Sequence, residues 1–124
     1  MFLLIREIYE NNKKPNYKNI CKDTVLKLGF NINSKGTLFL VDAICMLKEN
    51  DIEDFNMDFV YDCIAQKNRV STRKVKWNIE KSINSMFRYS NNSKILSIFP
   101  EYDGRNPTPK YPIGLALNRL KDFD

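Results

Sequence analysis

The sequence predicts an all-α fold: a single domain of six to seven helices containing a helix-turn-helix. Three observations lead there. Only four glycines and five prolines occur in 124 residues, and valine is scarce beside leucine, isoleucine and lysine. That balance favours helices over a sandwich or barrel. Apolar residues return every three or four positions in successive segments, separated by breaks rich in Asn, Asp, Gly and Pro. Residues 64–83, IAQKNRVSTRKVKWNIEKSI, read as two short helices joined by a tight turn. At 43% hydrophobic and 12% aromatic, the chain can bury a real core, and its length suits one domain.

Residues 2–12 are apolar at 2, 4, 5, 8 and 9, a short amphipathic helix broken by NNKKPN at Pro15. A second helix is expected over about 17–28, stopped by Gly29 as its C-cap, and FNINSKG reads as a loop. From Thr37, TLFLVDAICMLKEN is apolar nearly all round, at 38, 40, 41, 44, 45 and 47, so it should be the central buried helix. After DIED, Asn56 or Asp58 caps a helix to about Lys67 with Phe59, Val60, Cys63 and Ile64 inward. Ser71 or Thr72 caps the next, which reaches about Tyr89. SNNSK turns into a short helix over ILSIFPEY that ends at Pro100. DGRNPTPKYP is a loop, and a last helix from Ile113 to about Phe123 turns Leu115, Leu117 and Leu120 inward.

Composition narrows the function. With no histidine there is no Ser-His or Cys-His pair. Three scattered cysteines, Cys21, Cys45 and Cys63, cannot complete a zinc site and suit buried thiols in a reducing compartment. The glycines at 29, 36, 104 and 114 are isolated, so no phosphate loop is present. Glu53 and Asp54 are adjacent acids, but in ENDIEDFNMD they read as a solvated loop and helix N-terminus. No catalytic residue, metal or cofactor is expected. MFLLIREIYE is too short an apolar run for a signal peptide or a membrane span, which predicts a cytoplasmic protein without a membrane partner.

Charge is the strongest functional signal. Between residues 66 and 81, Lys67, Arg69, Arg73, Lys74, Lys76 and Lys81 oppose only Glu80, a net of +5 that equals the whole chain's. Residues 49–58 carry five acids and no base. Such segregation suits a face turned toward a polyanion. On a helical wheel, Val75, Ile79, Ile83, Met86 and Phe87 form the inner stripe, and Trp77 falls roughly 200° from Val75. Arg73, Glu80, Lys81 and Asn84 share its side, with Lys74 and Lys76 flanking. Ala65 permits a close helix crossing and Val70 fills the turn, the logic of a helix-turn-helix.

These residues resemble a known family. KGTLFLVDAICMLKEND, then FVYDCIAQKNRVSTRKVKWNIEKSI, ILSIF and GLALNRL, are similar in order and spacing to the C-terminal DNA-binding domain of the stage-zero sporulation master regulator of endospore-forming bacteria. The likeness covers residues 24–122. It implies a domain at 24–124 with a helical lead-in, residues 1–23, packed on it. It also implies six helices, a recognition helix in the major groove and head-to-tail homodimers on tandem operator boxes. On that mapping Ile95, Leu96, Ile98 and Phe99 would lie near a partner subunit, or simply form core.

Two departures are informative. The family's regulators carry an N-terminal phospho-acceptor domain, and the residues ahead of the match hold no acidic pocket for one. Phosphorylation is therefore not expected to be the switch within this chain, which reads either as a free-standing relative or as a fragment, the initial Met1 and helical lead-in favouring the former. The family also has glutamate and arginine where this chain has Lys76 and Trp77, and arginine where it has Glu80, while Lys74, Val75 and Ile79 keep their character. An arginine fork on guanine gives about 1–3 kcal/mol of discrimination. Tryptophan has one N–H and a large apolar face, and cannot imitate it.

The expected function is a sequence-preferring double-stranded-DNA-binding transcription regulator. Arg73, Lys74, Lys76, Trp77, Glu80, Lys81 and Asn84 would face the groove, Ser71 and Thr72 would meet phosphate, and Lys67 and Arg69 would touch the backbone. The alternative is a protein-interaction module, or an antagonist of a sporulation regulator, whose Trp77 anchors a protein partner.

Overall fold

The computed structural model describes residues 17–105 and 108–123; the helix expected over residues 2–12 lies outside them. Six α-helices follow in order: α1 (Tyr17–Lys27), α2 (Lys35–Glu49), α3 (Met57–Asn68), α4 (Thr72–Tyr89), α5 (Asn92–Ile98) and α6 (Lys110–Leu120), with a 3-10 turn at Lys121–Phe123. No strand occurs among the described residues, and none of their helices is long and apolar enough to cross a membrane. The boundary expected between residues 23 and 24 runs through α1, whose Cys21 and Val25 enter the same core.

The hub is α2, which packs against α1, α3, α4 and α6. It buries Phe39, Leu40, Val41, Ala43, Ile44, Cys45 and Leu47, as its near-continuous apolar run requires. It begins two residues earlier than expected. Gly36 belongs to its first turn, and the reason is contact with α4. A Cβ there would overlap the Asn78 carbonyl, 2.6 Å from its carbon, and the Ser82 hydroxyl. Gly36 is thus the point of closest helix crossing and not a loop glycine. Ser34, just ahead of it, is hydrogen-bonded to Ser82 across the same crossing.

Three helices end alike, each with one residue in the left-handed region followed by an apolar residue. After α1, Gly29 (φ 103°) donates to Leu26 O and Phe30 donates to Val25 O. After α2, Asp51 (φ 53°) donates to Lys48 O and Ile52 to Leu47 O. After α3, Arg69 (φ 54°) donates to Gln66 O and Val70 to Ala65 O. Each pair satisfies two orphan carbonyls, and Phe30, Ile52 and Val70 close over the core. Three starts, those of α3, α4 and α5, are capped by side chains: Asn56 accepts from Asp58 N, Ser71 from Lys74 N and Asn91 from Ser93 N.

Several inward assignments shift by one position. Tyr61 and Ala65 are buried while Phe59 is half-exposed, because α3 faces α2 and α4 together. Leu38 is exposed and Thr37 buried. α6 starts at Lys110, earlier than expected, with Pro112 in its first turn, where no intrahelical N–H is needed. Its core residues are Ile113, Ala116 and Leu120, and Leu115 and Leu117 are only partly covered. An aromatic row, Phe87 to Phe99 at 4.9 Å and Phe99 to Tyr111 at 5.6 Å, ties α4 to the chain's last third.

Gly36→Ala should lower unfolding stability by about 3 kcal/mol, the upper end for overpacking against backbone. Gly114→Ala should act oppositely, because an added Cβ there meets nothing within 4 Å and the helix gains up to about 1 kcal/mol. Urea unfolding of both variants measures the contrast. Alkali should also weaken the fold. Burial pushes the Cys21 thiol up to about 12 and the Cys45 thiol up to about 11 from 9.0, and the Tyr61 phenol up to about 12 from 10.0. The folded state therefore holds these protons more tightly than the unfolded chain. Their contribution is complete below about pH 9 and is lost as pH rises toward the folded values. Thermal melts should fall across that window, less steeply for a Cys21→Ala, Cys45→Ala double variant.

Candidate nucleic-acid interface

The three residues Arg69, Val70 and Ser71 connect α3 to α4. Their geometry is set locally: the left-handed Arg69 ends α3, Val70 packs inward, and Ser71 caps α4 through its hydroxyl, 3.1 Å from Lys74 N. Thr72 donates its hydroxyl to Asp62 at 2.9 Å, pinning the start of α4 to α3. Val75, Ile79, Ile83, Met86 and Phe87 then bury the inner face of α4. The opposite face has nowhere to point except outward.

That outer face gathers Arg73, Lys74, Lys76, Trp77, Lys81 and Asn84, all exposed, with Glu80 half-buried at its edge. Trp77 retains 59% of its surface, and the Lys81 ammonium lies 4.7 Å from its ring centroid, a contact worth about 0.5–1 kcal/mol at an exposed site. The indole stands between two open depressions. One, about 510 Å³, is bounded by Ser71, Arg73, Lys74 and Lys76. The other, about 870 Å³, reaches along Asn84 and Arg88 to Tyr102 in the loop after α5.

Arg88 was not singled out from sequence. It is exposed and sits three turns on from Trp77, within about 20° of it on the wheel, a signal the same wheel carries. Tyr89, 80% exposed, and Tyr102 extend the surface; only the fold shows that the late loop comes alongside.

The charges are unevenly matched. Among the described residues, none of Arg73, Lys74, Lys76, Lys81 or Arg88 forms an ion pair. Lys67 behaves differently from its neighbours: its ammonium is 3.0 Å from Asp42 of α2, a carboxylate also held by Asn68. Lys67 therefore ties α3 to α2 and is no free cation. Thr72 likewise directs its proton to Asp62. The acidic stretch faces elsewhere, with Asp54 and Glu53 each 3.9 Å from Lys110 and Lys121 respectively. Among the described residues no three potential ligands converge on a metal site.

The segment expected near a partner subunit is mostly interior. Ile95 and Phe99 are 1% and 0% exposed, and Phe99, just past the end of α5, packs on Phe87. Ile98 is partly covered and Leu96 is 49% exposed, so Leu96 is what this helix offers outward.

Arg69 holds a conformation that L-residues adopt only at a cost of about 1–2 kcal/mol, and glycine would adopt it freely. Arg69→Gly should therefore raise the midpoint of urea unfolding, by a net gain of roughly 0.5–1 kcal/mol after the added unfolded-state entropy. No protein-family model matches the chain, and no curated protein shows significant sequence similarity to it.

Proposed function

We propose that this protein is a cytoplasmic, non-enzymatic, sequence-preferring DNA-binding regulator of transcription, in which α3 and α4 act as a helix-turn-helix and α4 is the helix that enters the major groove. The observation that carries the reading is the outer face of α4, with five cations that have no carboxylate partner among the described residues around one exposed tryptophan. Clustered like charges destabilise a free surface, and a phosphate backbone relieves them. Arg73, Lys74 and Lys76 would track phosphates, Arg69 would reach the backbone beside the turn, and Trp77 with Asn84 would meet base edges. Trp77 offers apolar contact to a thymine methyl and a single N–H, so its preference differs from that of an arginine reader. The resemblance to sporulation effector domains supports the same role, and a head-to-tail dimer on DNA would use Leu96.

A second reading has its own observation. An indole this exposed, set between two depressions and ringed by lysines, is also how a protein hot spot looks.

Fluorescence anisotropy with a randomised duplex pool, the family's operator box and a scrambled duplex separates the two. DNA binding should show log K falling with log salt at a slope of about −3 to −5, for four or five neutralised phosphates. Lys76→Ala should weaken all duplexes alike and reduce the slope by about 1. Trp77→Ala should flatten the preference among duplexes. Absence of duplex binding at low salt would sink this reading and leave the protein-partner one.

A further inference from the structure

On the flank of α4, where it crosses the start of α2, lies a cavity of about 340 Å³. Ser34, Thr37, Ser82, Ser85, Ser90 and Asn31 are among the residues that line it, and no charged side chain does. The cavity opens at the N-terminus of a fifteen-residue helix with no acid in its first turn. Ser34 holds the N-cap position, yet its hydroxyl makes no cap bond and turns instead to Ser82. The first amides of α2 therefore keep the positive end of the helix dipole unscreened by a cap.

A second, independent observation points the same way. Thr37 is wholly buried, lines this cavity, and its Oγ1 has no hydrogen-bond partner among the described residues. A buried hydroxyl is rarely left in that condition. Neighbouring Thr24, buried in α1, shows the ordinary solution by donating to Ile20 O at 2.8 Å. Hydroxyls rotate to donate, so several of them at a helix N-terminus make a neutral set of donors for an anion.

We propose that this cavity binds a tetrahedral oxyanion, a phosphate group, between the first turn of α2 and Ser82 and Ser85 of α4. The group comes either from a free phosphate species or from a nucleic-acid backbone. In both cases it braces α4 against α2 at the Gly36 crossing. The site stands on its own observations and does not depend on base reading by Trp77.

The test uses the full chain, labelled with ¹⁵N and titrated with inorganic phosphate against chloride at equal ionic strength. Saturable shifts should centre on the amides of Lys35, Gly36 and Thr37. Thr37→Val, which keeps shape and removes only the hydroxyl, should weaken that binding at least ten-fold without lowering the melting temperature. A duplex titration then assigns the source. If duplex moves the same amides and Thr37→Val weakens duplex binding, the site takes a backbone phosphate. If those amides ignore duplex and still answer phosphate, it takes a free one. Phosphate shifts confined to the basic face of α4, or equal binding by wild type and Thr37→Val, would overturn the proposal.

Discussion

The crossing of α2 and α4 at Gly36 is the constraint on which the rest of the molecule depends. With no Cβ at that position, the backbone of α2 lies directly on the Asn78 carbonyl and the Ser82 hydroxyl. The close approach beds Val75, Ile79, Ile83 and Met86 into the core that α2 dominates. Once that inner stripe is fixed, the rotation of α4 about its own axis is fixed as well. Trp77 and the cations are outside because the other side is already committed. α3 completes the arrangement from the far end, through the Arg69 turn and the Thr72 bond to Asp62.

Electrostatics follow from this geometry. Three lysines elsewhere are matched across elements, Lys67 with Asp42, Lys110 with Asp54 and Lys121 with Glu53. Among the described residues, no cation of the α4 face has such a partner. Neighbouring cations along one helix face lie within a Debye length of roughly 8–10 Å, so their repulsion is felt in the free protein and released by an anion. Arg69, at the same end of α4, closes its helix as Gly29 and Asp51 close theirs, so its left-handed backbone belongs to the fold.

Much of this was legible in the residues, for identifiable reasons. α4 is strongly amphipathic, so its wheel separates Val75 from Trp77 without tertiary information, and the apolar run of α2 could only be interior. Gly29 was readable as a helix stop because glycine is the usual left-handed residue. Asp51 and Arg69 do the same work without being glycine, and nothing in their identity announces it. Gly36 misled for the converse reason: glycine marks a turn or a close crossing, and only the position of α4 decides which. Ile95 and Phe99 fit either core or interface by hydrophobicity, and only their burial, Phe99 between Phe87 and Tyr111, assigns them inward. Lys67 looked like its basic neighbours until Asp42, twenty-five residues away, came within reach. Long-range partners of this kind have no local signature.

Trp77 is the only tryptophan in the chain, so its emission reports on the proposed reading face alone. The most direct measurement is therefore acrylamide quenching of that emission while a duplex pool is titrated at low salt, followed by back-titration with salt. The account predicts that quenching falls as duplex binds and recovers as salt releases it. Unchanged emission and unchanged quenching at a duplex concentration where anisotropy shows saturation would contradict it, placing DNA on some other surface and leaving the α4 face for a different partner.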